Sequence, residues 1–208
     1  DTDFGYNLYG TNYNHNSLSW TLGEMSGTDP SNNPWSTFIL RKLTTNETFR
    51  KNFIDRFCIQ LSSTFEYNRS AGILDSLAAN ISSEISYHKS KWPSYRAFTE
   101  DITSMKTFAL NRPAYMLDFI SSRFMNGAGN EIINISANNE KASYTLNNEK
   151  IEDPSIQLRY FKNQPFSLKA NAVAGYKFKH WEIGGNTSGA TTLIANNSNW
   201  KYFDGNDM

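Results

Sequence analysis

The hydrophobic period of this chain changes once, at Asn126-Gly127-Ala128-Gly129-Asn130, and no other feature constrains the fold as tightly. Before that pentapeptide, apolar residues recur every three or four positions, the spacing of a one-faced helix. After it they recur every second position, the spacing of a half-buried strand. Helices gathered before strands, rather than alternating with them, imply an α+β fold: an N-terminal helical bundle followed by a small, mostly antiparallel β domain.

The helical part divides at its caps. Asn33-Pro34 reads as a cap with proline in the first turn, followed by Trp35, Phe38 and Ile39 on one face. Asn46 caps a second helix, whose Phe49, Phe53, Phe57 and Leu61 form a stripe at four-residue spacing. A third begins near Asn68 and carries Ile73, Leu74, Leu77, Ile81 and Ile85. Trp92-Pro93-Ser94 breaks the pattern, and Ser94 caps a fourth helix with Tyr95, Phe98, Ile102, Met105 and Phe108. Asn111-Arg112-Pro113 predicts a restart, with Tyr115, Phe119, Ile120 and Phe124 on a fifth helix. One-sided helices need each other, so a bundle over residues 1–125 is the economical arrangement.

In the β part, Ile133 and Ile135, then Tyr144 and Leu146, then Phe166, Leu168 and Ala170, then Tyr176, Phe178 and His180 alternate with polar neighbours. Asn147-Asn148, Asp153-Pro154 and Ala174-Gly175 supply the turns between them. These runs place a small β domain at residues 126–195. Residues 196–208, with Trp200-Lys201-Tyr202-Phe203, read as the start of a further domain or a linker. The chain begins at Asp1 rather than Met, which reads as a piece of a longer protein.

Composition excludes several functions. The chain has 20 Lys+Arg against 20 Asp+Glu, and the balance holds on both sides of Met125, so no broad basic face exists for nucleic acid. No apolar run approaches the ~20 residues of a membrane span. The lone Cys58 permits no internal disulfide, and its place in an apolar helical pattern predicts a buried small hydrophobe rather than a nucleophile.

Chemistry concentrates at the N-terminus. Asp1-Thr2-Asp3-Phe4-Gly5 sets two carboxylates two residues apart, on the same side of an extended chain, where both can approach one hard cation. Asp3-Phe4-Gly5 is also the tripeptide with which protein kinases hold magnesium. Taken alone, so short a motif recurs by chance, and two exposed aspartates before a glycine turn are the plainer reading. His15, His88 and His180 are too scattered for a zinc site and read as loop, helix-end and strand residues. Gly184-Gly185-Asn186-Thr187-Ser188-Gly189 follows a strand with no helix behind it and reads as a hairpin loop, not a phosphate cradle. Trp181, Trp200 and Tyr202 leave a sugar-stacking platform open as an alternative to packing.

In order along the chain, several stretches resemble the spore-coat protein H (CotH) kinase-like family. They are Asp1-Thr2-Asp3-Phe4-Gly5 with Tyr13-Asn14-His15-Asn16, Pro34-Trp35, the helix Phe49-Arg50-Lys51-Asn52-Phe53-Ile54-Asp55-Arg56-Phe57, Leu74-Asp75 with Glu84-Ile85 and His88, and Phe108-Ala109-Leu110-Asn111-Arg112-Pro113. The resemblance implies an atypical kinase-like fold that uses ATP and Mg2+ to phosphorylate protein, with Asp1 and Asp3 coordinating the metal. It implies an extracellular or envelope location in bacteria, with a protein substrate or other envelope components as partners. The family's ATP-anchoring lysine and catalytic aspartate precede the metal motif, so these 208 residues alone are expected to be inactive and to hold no nucleotide tightly. The alternative is a non-catalytic surface scaffold, or an adhesion or carbohydrate-binding protein with a degenerate kinase-like part. Arg159–Ala170 followed by Gly175-Tyr176-Lys177-Phe178-Lys179-His180-Trp181 resembles the divergent internalin B-type repeat, which implies that Tyr176, Phe178 and Trp181 fill a small core.

Overall fold

The computed structural model describes residue 6 and residues 12–23, 35–93, 97–137, 139, 141–172, 174–182 and 184. Its helices are α1 (Ser17–Thr21), α2 (Phe38–Leu43), α3 (Glu47–Ser62), α4 (Tyr67–Ile81), α5 (Ile85–Lys91) and α6 (Phe98–Phe124), with a single 3-10 turn, Ser82–Glu84, between α4 and α5. Strands β1 (Asn130–Ser136), β2 (Ser143–Leu146), β3 (Glu149–Ile151), β4 (Ser155–Phe161) and β5 (Leu168–Asn171) follow. The fold is α+β, helices first and antiparallel strands after. Two compact units divide the chain, residues 1–176 and 177–208.

Local chemistry explains the ends of the elements. The Asn46 side chain accepts the Phe49 N–H at 2.9 Å and opens α3. Glu66 does the same for α4, accepting the Arg69 N–H at 3.0 Å, so that helix starts at Tyr67 rather than Asn68. At the period change, Asn126 and Gly127 adopt left-handed φ of 52° and 78°, and the Gly127 N–H turns back to the Ser121 carbonyl at 3.1 Å. That stops α6 and releases the chain into β1.

The Asn111-Arg112-Pro113 restart does not occur. Pro113 lies inside α6, which runs unbroken for 27 residues. An interior proline removes one helical hydrogen bond at a cost of about 3 kcal/mol, and here contacts on both sides of it hold the helix through. Ser94 lies outside the described residues, and α6 opens at Phe98 behind Ala97, which makes no side-chain cap bond.

β1 and β4 pair antiparallel, with Ile135 opposite Ile156 and Ile133 opposite Leu158. β2 is the centre of a second sheet, order β3-β2-β5, with Tyr144 opposite Ala170 and Leu146 opposite Leu168. β4 was not among the expected strands, yet Ile156, Leu158 and Tyr160 alternate into the core and Leu158 is 0% exposed. The expected strand at Tyr176, Phe178 and His180 does not form among the described residues. Tyr176, Phe178 and Trp181 are exposed, Trp181 at 42%, so they do not fill the core that the internalin-type reading assigned to them. Without ladder partners, these rings have no sheet face to bury. Phe178 and Trp181 instead pack on each other, centroids 5.2 Å apart.

One hydrophobic core joins helices and strands. It contains Leu18 of α1, Ile54, Cys58 and Ile59 of α3, Leu117 and Ile120 of α6, and inward residues of β1, β2, β3 and β4. α3 is the hinge pin of this arrangement. Its Asp55 accepts a short hydrogen bond from the Tyr160 hydroxyl of β4. Its Ser62 Oγ accepts the Arg159 N–H of β4 at 2.9 Å, satisfying a strand-edge donor. Arg56 reaches Glu149 of β3 at 2.8 Å. α4 packs on α6, where Leu74 and Ala109 are buried, with Asp75 paired to Lys106 at 2.6 Å. Ile73, Leu77 and Ile81 of α4, and Trp35, Phe38 and Ile39, stay exposed, so the expected bundle is one-sided.

Candidate metal and nucleotide site

Helix α6 places Phe108, Arg112, Tyr115 and Phe119 four, three and four residues apart, on one face. This face contacts Tyr6 and the loop at residues 13–17. The Tyr6 ring packs on Phe108, centroids 5.3 Å apart. Arg112 closes on the loop before α1. Its Nη1 donates to the Tyr13 carbonyl at 2.7 Å and to the His15 carbonyl at 2.5 Å, and its Nη2 donates to Ser17 Oγ at 2.7 Å. Tyr13 also packs on Tyr115 at 5.5 Å. The guanidinium lies 5.8 Å from the ring centroids of Phe108 and Phe119, a cation–π arrangement. Burial lowers the Arg112 pKa from its ordinary value, yet a guanidinium remains charged at any physiological pH.

Loop 12–16 is built to be gripped. The Asn12 side chain accepts the Tyr13 N–H at 2.7 Å and the Asn16 side chain caps α1 through the Ser19 N–H at 2.9 Å. These local bonds turn the Tyr13 and His15 carbonyls toward one donor. The five fixed donors of arginine suit such a cluster; a lysine ammonium does not match it.

Asp1 and Asp3 lie outside the described residues. Tyr6, three residues after Asp3, is the nearest described point. Among the described residues no group of three or more His, Cys, Asp or Glu side chains is placed to hold a metal ion. The histidines are dispersed: the His15 ring lies 3.3 Å from Ser17 Oγ, His88 packs on Trp92 at the end of α5, and His180 bonds Glu182 at 2.9 Å. Cys58 is fully buried, and desolvation, then the charge of Asp55, raises its thiol to about 12, so it is no nucleophile. Trp200, Tyr202 and most of the Gly184–Gly189 loop lie outside the described residues. A shallow groove of about 420 Å³ runs along Thr99, Glu100, Thr103, Ser104 and Thr107 of α6. The Thr103 and Thr107 hydroxyls are spent on carbonyls of their own helix.

The sequence model of the family described as CotH kinase protein matches residues 1–116. That span is more than half of the 208 residues. The chain belongs to the CotH kinase family. No curated protein and no solved structure matches it. The CotH span takes in both partners of the clamp, the N-terminal segment and Arg112, and ends within α6. The internalin-type resemblance of residues 130–183 gains no support from the comparisons. Sequence reading met Arg112 only as part of an Arg-Pro junction in a CotH motif. Its signal was a lone cation among aromatic positions at helical spacing, a pattern that becomes visible once α6 is known to be continuous.

Proposed function

We propose that this CotH-family chain carries the metal-binding end of an ATP-dependent protein kinase site, with Asp1 and Asp3 as the magnesium ligands. The observation that supports it most is the family match over residues 1–116, which includes the Asp-x-Asp motif together with the α6 face. The donor set fits the ion. Two carboxylates offer hard oxygens, and magnesium is usually held by one or two carboxylates plus substrate phosphates. Bound there, magnesium would neutralise phosphate charge during transfer. The chain's own contribution is the pair of carboxylates, with Arg112 holding the loop at residues 13–17. By resemblance, the lysine and catalytic aspartate that complete phosphoryl transfer precede this motif, so the 208 residues alone bind the ion weakly and turn nothing over. The setting is extracellular or at the bacterial envelope, and the acceptor is a protein.

Mn2+ electron paramagnetic resonance, with manganese standing in for magnesium, tests the assignment. The chain is expected to bind Mn2+, and Asp1→Asn together with Asp3→Asn to abolish it. With ATP and Mg2+, the 208 residues are expected to transfer no phosphate to a protein acceptor. Unchanged Mn2+ binding in the double variant would sink the metal assignment and favour a non-catalytic surface scaffold. Turnover by these residues alone would contradict the requirement for a lysine and an aspartate before the motif.

A further inference from the structure

We propose that this chain forms a weak, twofold-symmetric homodimer through α4, the helix of one copy lying antiparallel on the helix of a second copy about Leu77. The inference is independent of the metal assignment above.

Three aliphatic side chains of α4 are left uncovered. Ile73, Leu77 and Ile81 follow one another at four-residue spacing, which sets them in one row along the helix. Each is about half exposed, Leu77 the most at 58%. On the adjoining side Ala71 and Leu74 are buried, and α4 packs on α6. The row is therefore a second apolar strip beside the packed one. A Cβ added at Gly72 would meet nothing within 4 Å, so the helix is open next to Ile73. Apolar strips rimmed by charge mark association surfaces.

The order of the charges chooses the occupant. Arg69 lies eight residues before Leu77 and Glu84 seven after it, and both are exposed. Backbone angles stay in the right-handed helical region at Ser82, Glu84 and Ile85, so the chain keeps coiling past the end of α4. Turning this stretch end over end about Leu77 exchanges Ile73 with Ile81 and brings Arg69 to within one residue of the place of Glu84. A twofold interface requires a surface that is complementary to itself in this way. Antiparallel pairing sets Leu77 on Leu77 of the second copy, Ile73 on Ile81, and Arg69 opposite Glu84 twice. A parallel pair would set Arg69 against Arg69 and Glu84 against Glu84. Three half-exposed aliphatic side chains fall short of a standard interface of about 1,600 Å2, so the dimer is weak, with a dissociation constant on the order of 10–100 µM.

Sedimentation equilibrium of the full 208-residue chain, loaded from about 1 µM to about 500 µM, tests this. The wild type is expected to move from the monomer mass toward the dimer mass as concentration rises. Leu77→Glu sets two carboxylates against each other at the axis and is expected to weaken association by at least about 10-fold. Arg69→Glu faces Glu84 with a like charge and is expected to weaken it by about 5-fold, and adding Glu84→Arg to that variant restores it. All three side chains are exposed, so circular dichroism is expected to show little change in melting. Should Leu77→Glu fail to fold, the charge exchange carries the test. A wild type that stays monomeric throughout would overturn the proposal and leave the row to a partner of another kind. Association that both single variants leave unchanged would overturn it by placing the interface elsewhere. Failure of Glu84→Arg to restore association would overturn the antiparallel arrangement.

Discussion

Two tyrosines at the heart of the core differ in the hydrogen bonds of their hydroxyls, and that difference sets what each contributes. The Tyr160 hydroxyl donates to Asp55, whose other oxygen takes Lys51 at 2.7 Å. Asp55 is buried, so removing the donor leaves a carboxylate oxygen without its partner, a penalty of about 1–3 kcal/mol. The Tyr144 hydroxyl is buried with no hydrogen-bond partner among the described residues. Tyr160→Phe is expected to lower unfolding free energy by about 1–3 kcal/mol, while Tyr144→Phe leaves it within about 1 kcal/mol or raises it; urea unfolding of both variants checks this, and equal losses would contradict it. Proton linkage follows from the same burial. Desolvation raises Cys58 from 9.0 and Tyr144 from 10.0, each to about 12, and raises Tyr160 further. The folded chain retains protons that the unfolded chain releases, so stability is complete below about pH 9 and falls as pH rises toward 12. Melting temperature measured from pH 7 to pH 11 is expected to be flat and then to decline beyond 9; a rise above pH 9 would refute the burial of these groups.

Helix α6 shows where local sequence was sufficient and where it was not. Its end was legible, because Asn126-Gly127 is a stop signal with a local cause, the left-handed backbone. So were the Asn46 cap, the burial of Cys58 and the turn at Asn147, whose φ is 52°. Continuity through Pro113 was not legible. It depends on anchorage by Tyr6, Tyr13, His15 and Ser17, partners about a hundred residues away in the chain. β4 was missed for a different reason. Its alternation Ile156, Leu158, Tyr160 is plain, but Arg159-Tyr160-Phe161 falls in the stretch that resembles the internalin-type repeat. The proposed metal ligands rest on a spacing of two aspartates and a resemblance; the Arg112 clamp needed the fold. Because Pro113 forfeits a helical hydrogen bond, Pro113→Ala is expected to stabilise the chain by about 1–3 kcal/mol. Thermal unfolding decides it, and a destabilised variant would mean that α6 requires the proline geometry.

At the scale of the whole molecule, the period change at residue 126 is a change of element type, while the core runs across it. α3 packs on β4, α6 and the inward strand residues share the same core, and Asp55–Tyr160 and Ser62–Arg159 stitch α3 to β4 with polar bonds. A chain ending at residue 125 would expose Cys58, Ile59, Leu117 and Ile120 and leave Asp55 without Tyr160. It is expected to lose cooperative unfolding, whereas a chain ending at residue 176 retains it; calorimetry of the two truncations separates the cases, and a sharp transition in the shorter one would contradict a shared core. The proposed function places a divalent ion on Asp1 and Asp3, and Asp3 is three residues from Tyr6, at most about 11 Å along an extended chain. Paramagnetic broadening of amide signals by substoichiometric Mn2+ tests that most directly. The account predicts selective loss of the signals of Tyr6 and of Phe108, on which its ring packs, with the effect abolished by Asp1→Asn with Asp3→Asn. Broadening centred elsewhere, or unchanged in the double variant, would contradict it.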